Sequence, residues 1–160
     1  MEFPNDLNYE QQILELYVKL LGCWNTSNAA GFAGLFLKNG SVIGFDGSQM
    51  NGQLNILEEI SRIFSDHKVA SYVSIVQEIR PLSQTVFVLT SHVGMVTPGK
   101  ADINPKVNAI QTMIAKKEHN RFRIAVFQNT PLALHENPKL KEEISGKLQE
   151  TYNKLNVVNP

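Results

Sequence analysis

Cysteine is almost missing from this chain, since Cys23 is the only one. A single thiol makes no internal disulfide and no zinc site by itself. That points to a reducing compartment or to indifference to redox state. Cys23 lies inside an apolar helical stretch and reads as a small buried hydrophobe rather than a nucleophile. Net charge is missing too, with 15 Lys and Arg against 15 Asp and Glu. Nucleic acids and anionic membranes call for a concentrated basic field, so neither is an expected partner. No apolar run approaches the roughly 18 residues of a membrane span, and the residues from Met1 to Asn8 carry neither a basic nor an apolar leader pattern. The expectation is a cytoplasmic protein. The four histidines are scattered, without a His-Glu-x-x-His pair, so no metal site is expected. No Gly-x-Gly-x-x-Gly stretch follows a strand, so no nicotinamide cofactor is expected, nor any other.

What the chain does have is the composition of one globular domain: 160 residues, 42% hydrophobic and 19% charged. Its first third has helical periodicity. Ile13, Leu14, Leu16, Tyr17, Leu20, Leu21 and Trp24 form one face of a helix over residues 9–26, with Asn8 and Gln11 as a capping pair. A second, short helix over 28–37 takes Asn28 as its cap, and Asn39-Gly40 stops it. Ser41 to Phe45 reads as a short strand and Asp46-Gly47 as a turn. A third helix runs from Asn51-Gly52 to about Phe64.

After His67 the period changes from helical to alternating. Ala70–Arg80, Thr85–Val96, Val107–Lys117 and Arg121–Thr130 read as four strands, joined pairwise by short polar turns that imply antiparallel hairpins. A last helix, about Asn137–Leu155, carries the narrow stripe Leu140, Ile144, Leu148 and Tyr152, which suits packing on its own domain or on a partner subunit. Helices segregated from a long antiparallel sheet define an α+β fold. A long sheet that twists around an amphipathic helix leaves a hollow.

Several segments resemble a known family. They are Trp24-Asn25-Thr26-Ser27-Asn28-Ala29, Phe32-Ala33-Gly34-Leu35-Phe36, Gly47, Gly52, and Phe127-Gln128-Asn129-Thr130-Pro131. Over about Ile13 to Pro131 the chain resembles the SnoaL-like branch of the nuclear transport factor two-like superfamily, and within it the SgcJ/EcaC group. That group usually has Asp where Asn28 stands, and Asn caps a helix about as well. The resemblance implies a cone-shaped α+β barrel, the cystatin-like roll, with three N-terminal helices packed on a curved antiparallel sheet. Residues 1–135 make up the cone domain and 136–160 a C-terminal helical extension. It also implies a homodimer through the sheet. Members of the superfamily include isomerases, cyclases, dehydratases and binding modules, so the fold leaves function open.

Enzymes on such a fold place a carboxylate or a histidine in the cone. Alternation groups His92 with Val86, Val88 and Thr90, Thr112 with Asn108, Ile110 and Ile114, and Gln128 with Phe122, Ile124 and Val126. These apolar-rich faces are expected to point inward, which makes His92 the candidate general base. Trp24, Phe45, Asn108, Thr112, Gln128 and Asn129 are then the candidate ligand-binding residues. Glu78, grouped with Tyr72, Ser74 and Arg80, is expected outside. His67, His119 and His135 are expected in solvent, and Asp46 is read as a turn carboxylate. Three functions fit this reading. One is a binding domain for a small apolar or amphipathic molecule. The second is a cofactor-free isomerase, cyclase or hydratase that uses His92. The third is a homodimerisation module.

Overall fold

A computed structural model describes residues 6–158. Its elements run α1 (Asp6–Asn25), α2 (Ala29–Gly34), β1 (Phe36–Ile43), β2 (Gln49–Asn51), α3 (Gln53–Asp66), β3 (Ser71–Pro81), β4 (Val86–Val96), β5 (Ala109–Glu118), β6 (Arg121–Pro131) and α4 (Pro138–Val158). The sheet has six strands in the order β2-β1-β6-β5-β4-β3. Strands β3 to β6 form the expected antiparallel meander, but β1 pairs with β6 in parallel, so the sheet is mixed and open.

The N-terminal third departs most from expectation. Asn8 sits inside α1 rather than at its cap. Asn28 does cap α2, its side-chain oxygen accepting from the Gly31 N–H at 2.9 Å. The helix then lasts only six residues. Gly31 and Gly34 lower its helicity, and Phe36 and Leu37 bury their side chains in the sheet instead. Gln53 seals the junction, its amide donating to the carbonyls of Ala33 and Phe36 at 3.1 and 3.0 Å. The first is a carbonyl of the last turn of α2, where helical partners run out, and the second opens β1.

Asn39-Gly40 therefore belongs to β1 and stops no helix. Gly40 lies where the pairing of β1 with β6 shifts register, between Phe36 and Ser41. A Cβ at this position would stand 2.8 Å from the Ile124 carbonyl oxygen and 3.0 Å from that of Leu37. Only glycine lets the two strands approach so closely.

One face of the sheet packs on α1, α2 and α3. Its core contains Ile13, Tyr17, Leu20, Phe36, Ile56, Phe87, Leu89, Met113 and Ile124. The other face is covered at its β3–β4 end by α4, whose Ile144 and Leu148 join Val73, Val96, Ile103 and Leu132 in a second cluster. The Ile103 N–H donates to Gln149 of α4 at 2.8 Å, and Asn108 donates to Ser145 at 2.9 Å. No helix among the described residues is long and apolar enough to cross a membrane.

Candidate functional site

The strand register decides which polar side chains reach the space between sheet and helices. In β4 the fully buried inward residues are Phe87, Leu89, Ser91 and Val93, which places His92 on the opposite face. His92 pairs across the ladder with Ile75 and Ile110, and both of these pack against the α4 cluster. Its imidazole pKa is pushed down by partial burial and by Lys147 on α4. Thr90, Thr112 and Gln128 face each other across three strands on the same outer side. Asn108 is buried under α4, away from the helical core. The inward expectation for His92, Asn108, Thr112 and Gln128 is thus corrected, because β4 is apolar on both faces and a slip of one residue inverts every side chain. Glu78 and Arg80 are outside, 3.0 Å apart. A bulge between Val76 and Glu78 changes the face, so Tyr72 and Ser74 point inward.

The side chains that do point inward form a connected set. Tyr17, fully buried on α1, donates from its hydroxyl to Gln111 Oε1 at 2.6 Å. Gln111 Nε2 donates to Asn129 Oδ1 at 3.0 Å, and Asn129 Nδ2 donates to the Ile43 carbonyl at 3.4 Å. Ser74 and Ser91 lie beside the Tyr17 hydroxyl, whose pKa is raised chiefly by burial. Tyr72 lies beside Gln111, and burial lifts its phenol to about 12. Both phenols therefore stay neutral at pH 7. The chain of bonds has a direction, because the Tyr17 hydroxyl fixes which end of the Gln111 amide turns toward Asn129.

Asn129 forms part of a cavity of about 450 Å³ between the sheet and the ends of α1, α2 and α3. Trp24 and Phe32 form one wall, Met50, Ile60 and Ile63 a second, and Tyr72, Met95 and Phe127 the sheet side. Trp24 is held in place by its indole N–H, which donates to the Ala70 carbonyl at 2.9 Å, and by edge contact with Phe64. Asn25 clamps Tyr72 by both backbone groups: it accepts from the N–H at 2.8 Å and donates to the carbonyl at 3.2 Å. Tyr72 belongs to the site although alternation grouped it with the outward Glu78, and Asn25 holds it there.

The mouth is built by the turn after β1. Asp46 Oδ1 accepts from both the Ser48 N–H at 3.0 Å and the Ser48 hydroxyl at 2.6 Å, and these bonds hold its carboxyl below the usual range. Gly47 takes a φ of +89° to close the turn. The turn leaves Phe45 at the rim, 40% exposed. Of the seven expected site residues, Trp24, Phe45 and Asn129 line this cavity. A second hollow of about 520 Å³ lies between α1 and β6, beside Lys19, Arg121 and Arg123. It is a more open groove, and Arg123 is already committed to the Gly34 carbonyl at 2.8 Å and to Glu118 at 3.7 Å.

No protein-family model matches the chain, and no curated protein matches it. Solved structures do. A domain of unknown function with a cystatin-like fold from Nostoc punctiforme superposes with a TM-score of 0.73 at 19% identity, over 93% of this chain and 94% of that one. The chain has the cystatin-like fold. A NTF-2 like protein of unknown function from Shewanella oneidensis shares this cystatin-like architecture with a TM-score of 0.61 at 14% identity, over 75% of this chain and 97% of that one. A ketosteroid isomerase-like protein from Erwinia carotovora gives 0.60 at 11%, over 77% and 95%. These neighbours accord with the SnoaL-like resemblance of the Trp24–Ala29 and Phe127–Pro131 segments. At such identities they speak for the cystatin-like fold alone, and function rests on the cavity.

Proposed function

We propose that the protein binds a small, mostly apolar molecule in the cavity between its sheet and helices. The observation that carries this reading is the cavity itself, about 450 Å³, walled by aromatic and aliphatic side chains around the buried amide of Asn129. Ligand sites have this character: a concave apolar surface with a few placed polar groups. One hydrogen bond from the ligand to Asn129 or Tyr72 would set its orientation.

The chemistry of the lining favours binding over catalysis. A general base works best with a pKa near the working pH. His92 lies on the far face of the sheet. The carboxylates along the lining are Asp46 and Glu59. Asp46 is held acidic by Ser48, and Glu59 is paired with Arg62 at 2.9 Å. Asp46 is thus shifted away from the raised pKa that a buried acid or base would need.

A homodimer through the sheet is the second part of the reading. What supports it is the outer face beyond α4, where Ile43, Ile114, Val126, Thr112 and Gln128 form a half-exposed surface without charge. Sedimentation velocity of the purified protein would show a dimer, and a strict monomer would remove that part. The binding reading has its own test. Trp24 is the only tryptophan and lines the cavity, so its emission should change saturably with 1-adamantanemethanol and stay unchanged in an Ile63→Phe variant that fills the space. A flat response from the native protein with adamantanemethanol, camphor and menthol up to solubility would sink the reading.

A further inference from the structure

The cavity's charges are unevenly distributed. Its inner lining is uncharged, with the Asn129 amide and the neutral phenol of Tyr72. The charged lining residues, Asp46, Glu59 and Arg62, are the exposed or half-exposed ones and mark its mouth. Arg62 is the one cation among them, and it is already engaged. One nitrogen meets Glu59 at 2.9 Å and the other faces Asp66 at 3.7 Å. Two carboxylates thus hold one guanidinium.

Asp46 has no cationic partner within ion-pair distance among the described residues, and both hydrogen bonds to its carboxylate go to Oδ1. Among the described residues no side-chain hydrogen bond reaches its Oδ2, and the exposed Phe45 precedes it in the rim. Aromatic walls next to a carboxylate are the environment that stabilises an organic cation, since a ring face attracts a cationic nitrogen and the carboxylate pairs with it. A carboxylate or phosphate ligand would meet one surplus negative charge there, and the one cation of the lining already paired.

We infer that the cavity selects a hydrophobic amine, with its apolar body against Trp24, Phe32 and Phe127 and its protonated nitrogen at the mouth between Asp46 and Glu59. The inference rests on the reading of this cavity as a ligand site. A nitrogen at the mouth keeps part of its hydration, so the ligand avoids the heavy cost of burying a charge. The bonds from Ser48 keep Asp46 ionised well below neutral pH, so the mouth stays negative wherever the amine is protonated.

Three ligands with one body and different charge provide the test. They are 1-adamantanemethylamine, 1-adamantanemethanol and 1-adamantanecarboxylate, titrated against native protein at pH 7 and low salt with Trp24 emission as readout. The amine should bind tightest, the alcohol next and the carboxylate weakest, with about tenfold or more between amine and carboxylate. Raising salt to 1 M, where the screening length falls to about 3 Å, should shrink that ratio and leave the alcohol nearly unchanged. An Asp46→Asn, Glu59→Gln double variant should bring the ratio close to one while still binding the alcohol. If that variant fails to fold, the salt series on native protein decides alone. A carboxylate that binds as tightly as the amine, or an alcohol that binds tighter than the amine, overturns the inference and leaves the binding function standing. Binding of none of the three removes the binding function and this inference with it.

Discussion

Replacing Tyr17 with phenylalanine would take one oxygen from a fully buried position and leave the ring in place. In the native protein that hydroxyl donates to Gln111 Oε1 at 2.6 Å, and both residues have no exposed surface. The variant leaves Oε1 without this donor, and stranding a buried polar group costs about 1–3 kcal/mol. Ser74 and Ser91 lie against the same hydroxyl and can take up part of the loss, so the lower half of that range applies. Gln111→Leu should cost more. It strands two groups at once, the Tyr17 hydroxyl and the Asn129 oxygen that accepts from Gln111 at 3.0 Å. Urea unfolding followed by Trp24 emission measures both variants. With a slope of about 2 kcal/mol per molar, Tyr17→Phe should lower the midpoint by about 0.5–1 M, and Gln111→Leu by clearly more. If Gln111→Leu costs no more than Tyr17→Phe, the buried amide is not the centre of the network and the reasoning fails.

Two further outcomes follow from local geometry. Gly40→Ala should destabilise by about 1–3 kcal/mol, because the new Cβ meets the Ile124 carbonyl at 2.8 Å and backbone yields poorly. A midpoint within error of native would show that β1 and β6 can separate at no cost. Alkaline pH should also weaken the fold. The Tyr72 phenol is raised from 10.0 to about 12, so its contribution is present below pH 10 and is lost as pH climbs toward 12. That loss is worth up to about 3 kcal/mol. Urea midpoints at pH 8 and 11 should diverge, and the divergence should narrow in Tyr72→Phe; a native midpoint flat across that range counts against the assignment.

The sequence revealed helices and strands far better than it revealed faces. The four long strands lie within one or two residues of their expected bounds, because alternation and turn residues are local signals. The inward face of β4 was misread for a physical reason. Val86, Phe87, Val88 and Leu89 are all apolar, and α4 covers Val73 and Ile75 on the outer side as the other helices cover the inner side. Two covered faces erase the polar alternation that identifies an outside. Polar Ser91 and Gln111 were therefore not singled out, although both are fully buried and Gln111 links Tyr17 to Asn129. Trp24 and Phe45 were legible because each stands at the end of an element, where the cavity opens. Tyr72 was not, since a bulge near Val76 broke the count of alternation along its strand.

The parallel pairing of β1 with β6 has a consequence for how the chain is made. Val42 and Phe127 are register partners and both line the cavity, yet they leave the ribosome roughly 4–17 s apart at synthesis rates of roughly 5–20 residues per second. Throughout that interval β1 can hold only its short hairpin with β2, and the edge destined for β6 is bare. Contacts between distant positions also slow the final search. The binding site is therefore among the last features of the molecule to exist, and a chain truncated before β6 would expose the apolar walls of Trp24 and Phe32 with nothing to close over them.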